Sequence, residues 1–516
     1  MSEFSTLNGF KVKDKKAIRF YDNVASMISD TTLKEGMHVK TKGYYNANDN
    51  GDAEYIIESN QSATNHQELL NNELYATLIM GDIVNIKKLG AYGDNEHDDT
   101  NVFTNAFNLN KKIYYIPSGN YIIDSKINVL DQCNKIYGDS RRTSIIVSNG
   151  DCFDFGNTSR SLFEMHDLQL RNKTTTPTGK CIKGIFSISK FNNLRIRYYE
   201  DGFYTDNGTW IDYFENILIT DCTNGFNHSS NVFNNMNFIN CVFQHNVNGF
   251  YINGGCEDVN IIGCNFENNS ESAFNLGGGA LFNADGCYFE GNTTIMKFHG
   301  AYFGSTYKIS NSWMYATGIT NNGWLCTART ASSLDVEYSS LDIENNYIVL
   351  NPTYKPFAFD ETNTKCYLAI NFVKNYIKSN PKIKEYFDLF DLTNCENYGS
   401  YTNELPIVTD LIYGKYETIN VFIKNNGNRL IRGADQITKH IIGKLEIEST
   451  GQTQITLNTG GKIGKSTTTL PAFIVNVKYT DGTITNNECK VLYATTYIYN
   501  IDSTKTVSAI YFNNDY

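Results

Sequence analysis

Residues 259–290 read VNIIGCNFENNSESAFNLGGGALFNADGCYFE, and this stretch decides the fold. Val259-Asn260-Ile261 and Phe282-Asn283-Ala284 open two matching segments, each followed five residues later by a cysteine, Cys264 and Cys287. Alternation places Ile262, Cys264 and Phe266 on one face of a strand. Working outward, Leu194-Arg195-Ile196, Ile217-Leu218-Ile219 and Met236-Asn237-Phe238 have the same form. Tyr199, Cys222 and Cys241 follow them at the same distance, giving steps of 23, 19, 23 and 23 along the series. A second ladder runs Phe203, Phe226, Phe250, Phe274, Phe298, with steps of 23, 24, 24 and 24. Two ladders at one period are what a solenoid gives, because each coil sets like residues over like residues. Asparagine and glycine cluster between the short runs, where tight corners need them. A β-propeller blade takes about 40 residues, roughly twice this period. The reading is therefore an all-β chain built on a right-handed parallel β-helix.

Composition agrees. The 516 residues are 41% hydrophobic, include 35 Tyr and 31 Phe, and hold only seven Pro, which favours strands and a large core over disorder. A net charge of -11 disfavours nucleic acid as a partner. No apolar run is long enough for a signal peptide or a membrane span, so the expectation is a chain made in the cytoplasm without membrane insertion. The twelve cysteines form no CxxC pair and read as reduced, buried thiols.

Three regions are expected. Residues 1–82 form an N-terminal region with short strands at Val39-Lys40-Thr41 and Ala53 to Ile57. Residues 83–400 form the β-helix. It begins with a strand over Ile83 to Leu89 and a short helix capped at Asp98-Asp99-Thr100, with Val102, Phe103, Ala106 and Phe107 at helical spacing. Such a helix closes the open end of the first coil. Residues 401–516 show longer alternating runs, including Thr418 to Ile423, Ile474 to Tyr479 and Lys490 to Tyr499, with a hairpin signal at Asp481-Gly482. They read as an antiparallel β domain of sandwich type.

Residues 86–123 carry a resemblance. Leu89-Gly90-Ala91-Tyr92-Gly93-Asp94, Asp98-Asp99-Thr100, Phe103, Ala106 and Ile116-Pro117-Ser118-Gly119-Asn120-Tyr121 resemble the first coil of the pectate-lyase-like β-helix superfamily. Gly36 to Tyr45, Asn48-Asp49 and Asp52 to Tyr55 resemble the short domain that bacteriophage tailspike and receptor-binding proteins place before the helix. The resemblance implies a homotrimer on a phage tail, joined to a tail or baseplate protein through its N-terminal region. It implies binding to a bacterial surface polysaccharide of capsule or wall teichoic acid type, which many members also cleave. Alternatives from other classes are a non-enzymatic structural or adhesive virion protein and a bacterial polysaccharide lyase.

The first candidate for chemistry is Glu267 with Glu290, each three residues after its cysteine. Stacked at a rung spacing of about 4.8 Å, they approach the ~5–5.5 Å of a retaining glycosidase pair; the bland reading is a solvated outer column continuing to Gln244. The runner-up is Glu215 with Glu257, each seven residues before its cysteine, whose two-coil separation of ~9–10 Å suits inversion; the bland reading is corner residues. Asp201, Tyr204, Trp210 and Asp212 are the substrate-binding candidates, in a neighbourhood that adds Asp206, Asp221, Tyr198, Tyr199 and Tyr213; packing is the competing reading. Asp94 to Asp99 and Asn46 to Asp52 read as turns and caps rather than metal loops. Gly464-Lys465-Ser466 lacks the first glycine of a phosphate loop, and Gly277-Gly278-Gly279 reads as a corner. Only eight histidines and no HExxH are present, so neither a metal nor a cofactor is expected.

Overall fold

A coil one period long has room for three short strands and three corners, and the chain repeats that unit. The computed structural model describes residues 4–7, 10–13 and 18–359, apart from 63–65, 207, 230–232, 278–280, 300–305, 317–318, 329–338 and 352. It also describes 368–373, 375–378, 390–391, 404–405, 407–409, 417–423, 429–435, 440–449, 454–458, 473–492 and 495–515. Two compact units result: residues 1–227 with 239–242, and residues 228–238 with 243–516. Both carry turns of a parallel β-solenoid, about 12 in all.

The first unit opens with a five-stranded sheet, in the order Arg19–Tyr21, His38–Thr41, Ala53–Glu58, Tyr75–Leu78, Gln67–Leu69. Its solenoid begins at Ile83–Asn85, which is shorter than expected. Asn85 accepts the Lys87 N–H and turns Ile86–Leu89 into a 3-10 helix, and Gly90 ends it at φ 91°. The helix Thr100–Asn108 buries Phe103, Ala106 and Phe107. Asp99 precedes it but does not cap it through its side chain. Its buried carboxylate instead accepts the Tyr92 and Gly93 amides at 2.6 and 3.1 Å.

The strands stack in register on three faces. In the first unit Lys135–Gly138, Glu164–His166, Lys190–Asn192 and Tyr213–Glu215 make one face, and Ser144–Ser148, Gln169–Asn172, Arg195–Arg197 and Leu218–Thr220 a second. In the second unit the corresponding faces include Cys256–Ile262, Leu281–Asp285 and Thr306–Ser310, and Asn265–Glu267, Tyr288–Glu290, Trp313–Tyr315, Tyr347–Val349 and Tyr376–Lys378. Aromatic rings fill the core. Phe243, Phe266 and Phe289 stack with centroids 5.1 and 5.4 Å apart, and Phe250 pairs with Phe274. Each such ring contributes about 1.5–3 kcal/mol by leaving water.

Both sequence ladders need correction. The Val242 amide bonds Ile217 O, which sets Cys241 over Ile217 of the coil before it. The Thr223 amide bonds Tyr199 O, which sets Cys222 over Tyr199 at a different corner. The anomalous step of 19 therefore joined two corners, and each true step is 23 or 24. In the second unit Cys264 and Cys287 do share a column, since the Tyr288 amide bonds Cys264 O. Phe298 pairs with Leu276, not with Phe274. Ile262 faces solvent, because Gly263 takes φ 62° and turns the chain after it; Ile261, Cys264 and Phe266 are the buried set. The nine cysteines whose side chains are described are buried thiols that form no disulfide among themselves.

Asparagine plays two parts at the corners. Asn193, Asn216 and Asn268 take positive φ, which their short polar side chains tolerate. Asn246, Asn269 and Asn292 point inward as a buried ladder. Asn269 accepts from Asn246 N and Nδ2 at 3.1 and 3.2 Å and donates to Asn292 Oδ1 at 2.7 Å and Phe243 O at 3.1 Å. Ser312, Asn346 and Asn375 build a second ladder at the corner that Cys287 begins.

Beyond the coils, a nine-stranded sheet with antiparallel pairs includes Glu417–Ile423, Arg429–Asp435, His440–Ser449 and Phe473–Tyr479. Among the described residues its strands join in one hydrogen-bonded order. The run expected over Lys490 to Tyr499 is two antiparallel strands, Ile484–Leu492 and Thr495–Tyr499. Ile407–Thr409 pairs in parallel with Leu368–Val373, so a solenoid strand lies past residue 400.

Candidate functional site

In the second unit, Glu267 ends the strand Asn265–Glu267 and Glu290 ends Tyr288–Glu290, and the two are direct register partners. Phe266 and Phe289 point inward between them and their neighbours, so strand alternation forces both carboxylates outward. The Tyr288 hydroxyl donates to Glu290 Oε2 at 2.6 Å, and Asn265 Nδ2 donates to Glu267 Oε1 at 3.4 Å. No cation lies within ion-pairing distance of either carboxylate among the described residues. Its hydrogen bond to Glu290 is the main reason that the Tyr288 phenol is pushed up to about 12, with burial adding to it. The phenol thus stays protonated, and a donor, across neutral pH.

The same strands carry a second outward column. Tyr288, Trp313, Tyr347 and Tyr376 are successive register partners, beside the column Glu267, Glu290, Tyr315. Trp313 and Tyr347 have ring centroids 4.5 Å apart; Tyr347 and Tyr376 stack at 5.0 Å. Trp313 and Tyr376 remain 47% and 62% exposed, so the column presents ring surface to solvent. Sequence reading missed this column. Its steps of 25, 34 and 29 break the regular period, because longer loops intervene. The signal was the motif: Tyr-Phe-Glu, Trp-Met-Tyr, Tyr-Ile-Val and Tyr-Ile-Lys each place a large ring two residues before the strand's end.

The runner-up pair does not share a coil position. Glu215 lies directly before its corner residue Asn216, whereas the residue in that place in the coil of Glu257 is Ile262, before Gly263. Glu215 is held by Asn192 Nδ2 at 2.8 Å and Lys190 Nζ at 3.1 Å, and Glu257 is exposed.

Two of the four substrate-binding candidates are interior. Asp212 is completely buried; one oxygen accepts the Ser189 amide at 2.8 Å and Oδ2 has no partner. Burial pushes its carboxyl up to about 8. Asp201 is 2% exposed and accepts from Asn224 and Asn227 at 3.0 and 2.8 Å; burial raises it above the usual carboxylate range. Asp212 lies just before the strand Tyr213–Glu215 and Asp201 begins the strand Asp201–Thr205, where Lys180 Nζ also lies 4.0 Å from it; both carboxyls take donors from the protein itself. Tyr204 lies under Lys180 Nζ, 3.2 Å from the ring centroid, and Trp210 is exposed. Among the neighbours, Tyr199 is buried against Ser148 at 2.7 Å, Asp221 pairs with Arg197 at 3.2 Å, and Tyr213 is exposed.

The turn readings can also be placed. Asp49 accepts four amides, from Tyr44, Tyr45, Asn46 and Gly51, and Asp94 accepts those of Glu96 and His97. Gly278, Gly279 and the stretch 464–466 lie outside the described residues.

No protein-family profile matches this chain, and no curated protein does. Among solved structures, it is similar to the gp42 tailspike of Acinetobacter phage vb_AbaP_AS12, at 13% identity and TM-score 0.45, over 84% of this chain and 92% of the other. It is similar to tailspike gp49 of Acinetobacter baumannii bacteriophage Fri1, a capsular polysaccharide depolymerase, at 11% identity and TM-score 0.44, over 96% and 99%. A further likeness is to the A-module of a mannuronan C-5 epimerase from Azotobacter vinelandii, at 14% identity and TM-score 0.37, over 57% and 95%.

Proposed function

We propose that this chain is a phage tailspike that binds a bacterial surface polysaccharide along the column Tyr288, Trp313, Tyr347, Tyr376 and cleaves it with Glu267 and Glu290. The observation that carries the reading is a row of outward rings, Trp313 and Tyr376 among them exposed, beside two in-register carboxylates on the same strands. Rings offer apolar faces to sugars, and a carboxylate pair supplies acid and nucleophile. One rung, about 4.8 Å, suits a retaining hydrolysis, which needs its carboxyls ~5–5.5 Å apart. Glu290, oriented by the Tyr288 hydroxyl, is the nucleophile; Glu267 protonates the leaving oxygen and then activates water.

In the same reading residues 1–82 attach to the virion, residues 83–400 carry the site, residues 401–516 form the C-terminal β domain, and three chains assemble. The test incubates purified full-length protein with host envelope polysaccharide and follows chain length by size exclusion. Shortening that is lost in both Glu267→Gln and Glu290→Gln supports the pair. Shortening that persists in both removes it, and binding without shortening leaves an adhesive tailspike.

A further inference from the structure

The first unit holds a concentration of positive charge that the proposed site does not use. Four of the ten arginines in this acidic chain, Arg141, Arg171, Arg195 and Arg197, gather on one solenoid face. Arg171 and Arg197 are direct register partners, one rung apart, and Arg195 lies two residues before Arg197 on the same outward side. Like charges in directly opposed positions repel. One carboxylate answers them: Asp221 pairs with Arg197 at 3.2 Å, and Arg197 also donates to the Tyr198 hydroxyl at 2.6 Å and lies 4.6 Å from that ring's centroid, while Arg171 reaches the Asn95 amide oxygen at 3.3 Å and Arg141 reaches Asn216 O at 2.9 Å. The Arg195 side chain makes no hydrogen bond or ion pair with the protein among the described residues, and its enclosed Nε lacks a partner, as do Nε of Arg171 and Arg197. Partial burial lowers Arg195, and the charges of Arg197 and Arg141 lower it further. A guanidinium offers five fixed donors that match planar oxyanions in pairs. Outward arginines in register, on a chain of charge -11, concentrate guanidinium donors at one place on this face.

We propose that Arg141, Arg171, Arg195 and Arg197 form a binding site for an oxyanion carried on the glycan, so that the polysaccharide recognised is acidic. This rests on the polysaccharide reading above and adds a substrate class to it. The shared ligand chemistry is a carboxylate of an acidic sugar or a backbone phosphodiester.

The test titrates full-length protein at low salt with three probes: polygalacturonate, poly(glycerol phosphate) and neutral dextran. One anionic polymer should bind more tightly than dextran, and which one identifies the source of the oxyanion. Arg195→Gln and Arg171→Gln should each weaken that binding roughly tenfold or more, the scale of a lost charge-assisted bond. Arg195→Gln should also raise the low-salt unfolding midpoint, because it relieves repulsion; inorganic phosphate should raise the midpoint of the wild type more than that of the variant. Equal binding of the anionic polymers by wild type and both variants overturns the site, as does failure of both polymers and of phosphate to bind. Trp313→Ala separates the two readings. If it leaves binding of the host polysaccharide intact while the arginine variants weaken it, the aromatic-column reading fails and the anion site stands.

Discussion

Asp212→Asn should make the protein more stable above neutral pH and remove a pH dependence that the wild type carries. The carboxyl is fully buried, one oxygen accepts the Ser189 amide, and the other meets no donor. Desolvation disfavours its charged form and raises it from 3.8 to about 8. The folded state therefore keeps a proton that the unfolded chain releases above about pH 4. Stability from this group is fully present below the unfolded value, falls as pH rises from about 4 to about 8, and is gone above that. The displacement corresponds to roughly 5 kcal/mol, an order-of-magnitude figure and a large part of a typical domain's stability. An asparagine keeps the acceptor for Ser189 and carries no charge. Urea unfolding of both proteins at about pH 5 and about pH 9 reads the effect. The gap between them should widen in favour of the variant by several kcal/mol at the higher pH. A gap that stays the same at both would refute the argument, since no proton would then be exchanged at this position on unfolding.

Three further outcomes are expected. Asn269→Ala removes four hydrogen bonds of the buried ladder and should cost about 3–5 kcal/mol in chemical denaturation; a change below about 0.5 kcal/mol would show the ladder to be ornamental. Trp313→Ala should weaken host-polysaccharide binding roughly tenfold, from lost ring contacts, with the circular dichroism spectrum unaltered; full affinity would move the binding surface elsewhere. Ile188 is 44% exposed at φ 54°, a conformation costly for a β-branched residue, so Ile188→Asn should stabilise by about 1 kcal/mol in the same urea assay. Destabilisation instead would mean that the isoleucine is held by a partner.

Some of the residue columns could be read in advance, and the misreadings of the others have physical causes. Glu267 and Glu290 were legible because their coils have equal length and their shared Cys-x-Phe-Glu context fixes strand and face. Glu215 and Glu257 were paired by counting from Cys222 and Cys264, which occupy different corners of the coil. Asp201 and Asp212 looked like solvent-facing acids because composition does not say which way a residue turns. The aromatic column was invisible to a fixed period, since loops of unequal length separate Trp313, Tyr347 and Tyr376.

Recurrence of apolar residues at a near-constant period was enough, by itself, to determine stacked coils, short strands and a ring-filled interior. That follows because burial of apolar surface is set by pattern, and pattern is written along the chain. Which residues share a column was decided only by the hydrogen-bond register, and register depends on where each corner adopts positive φ. One such residue turns the chain and exchanges inside for outside, as Gly263 does beside Ile262. For that reason the alignment of the carboxylate pair, of the outward rings and of the arginines emerged only once the coils were closed.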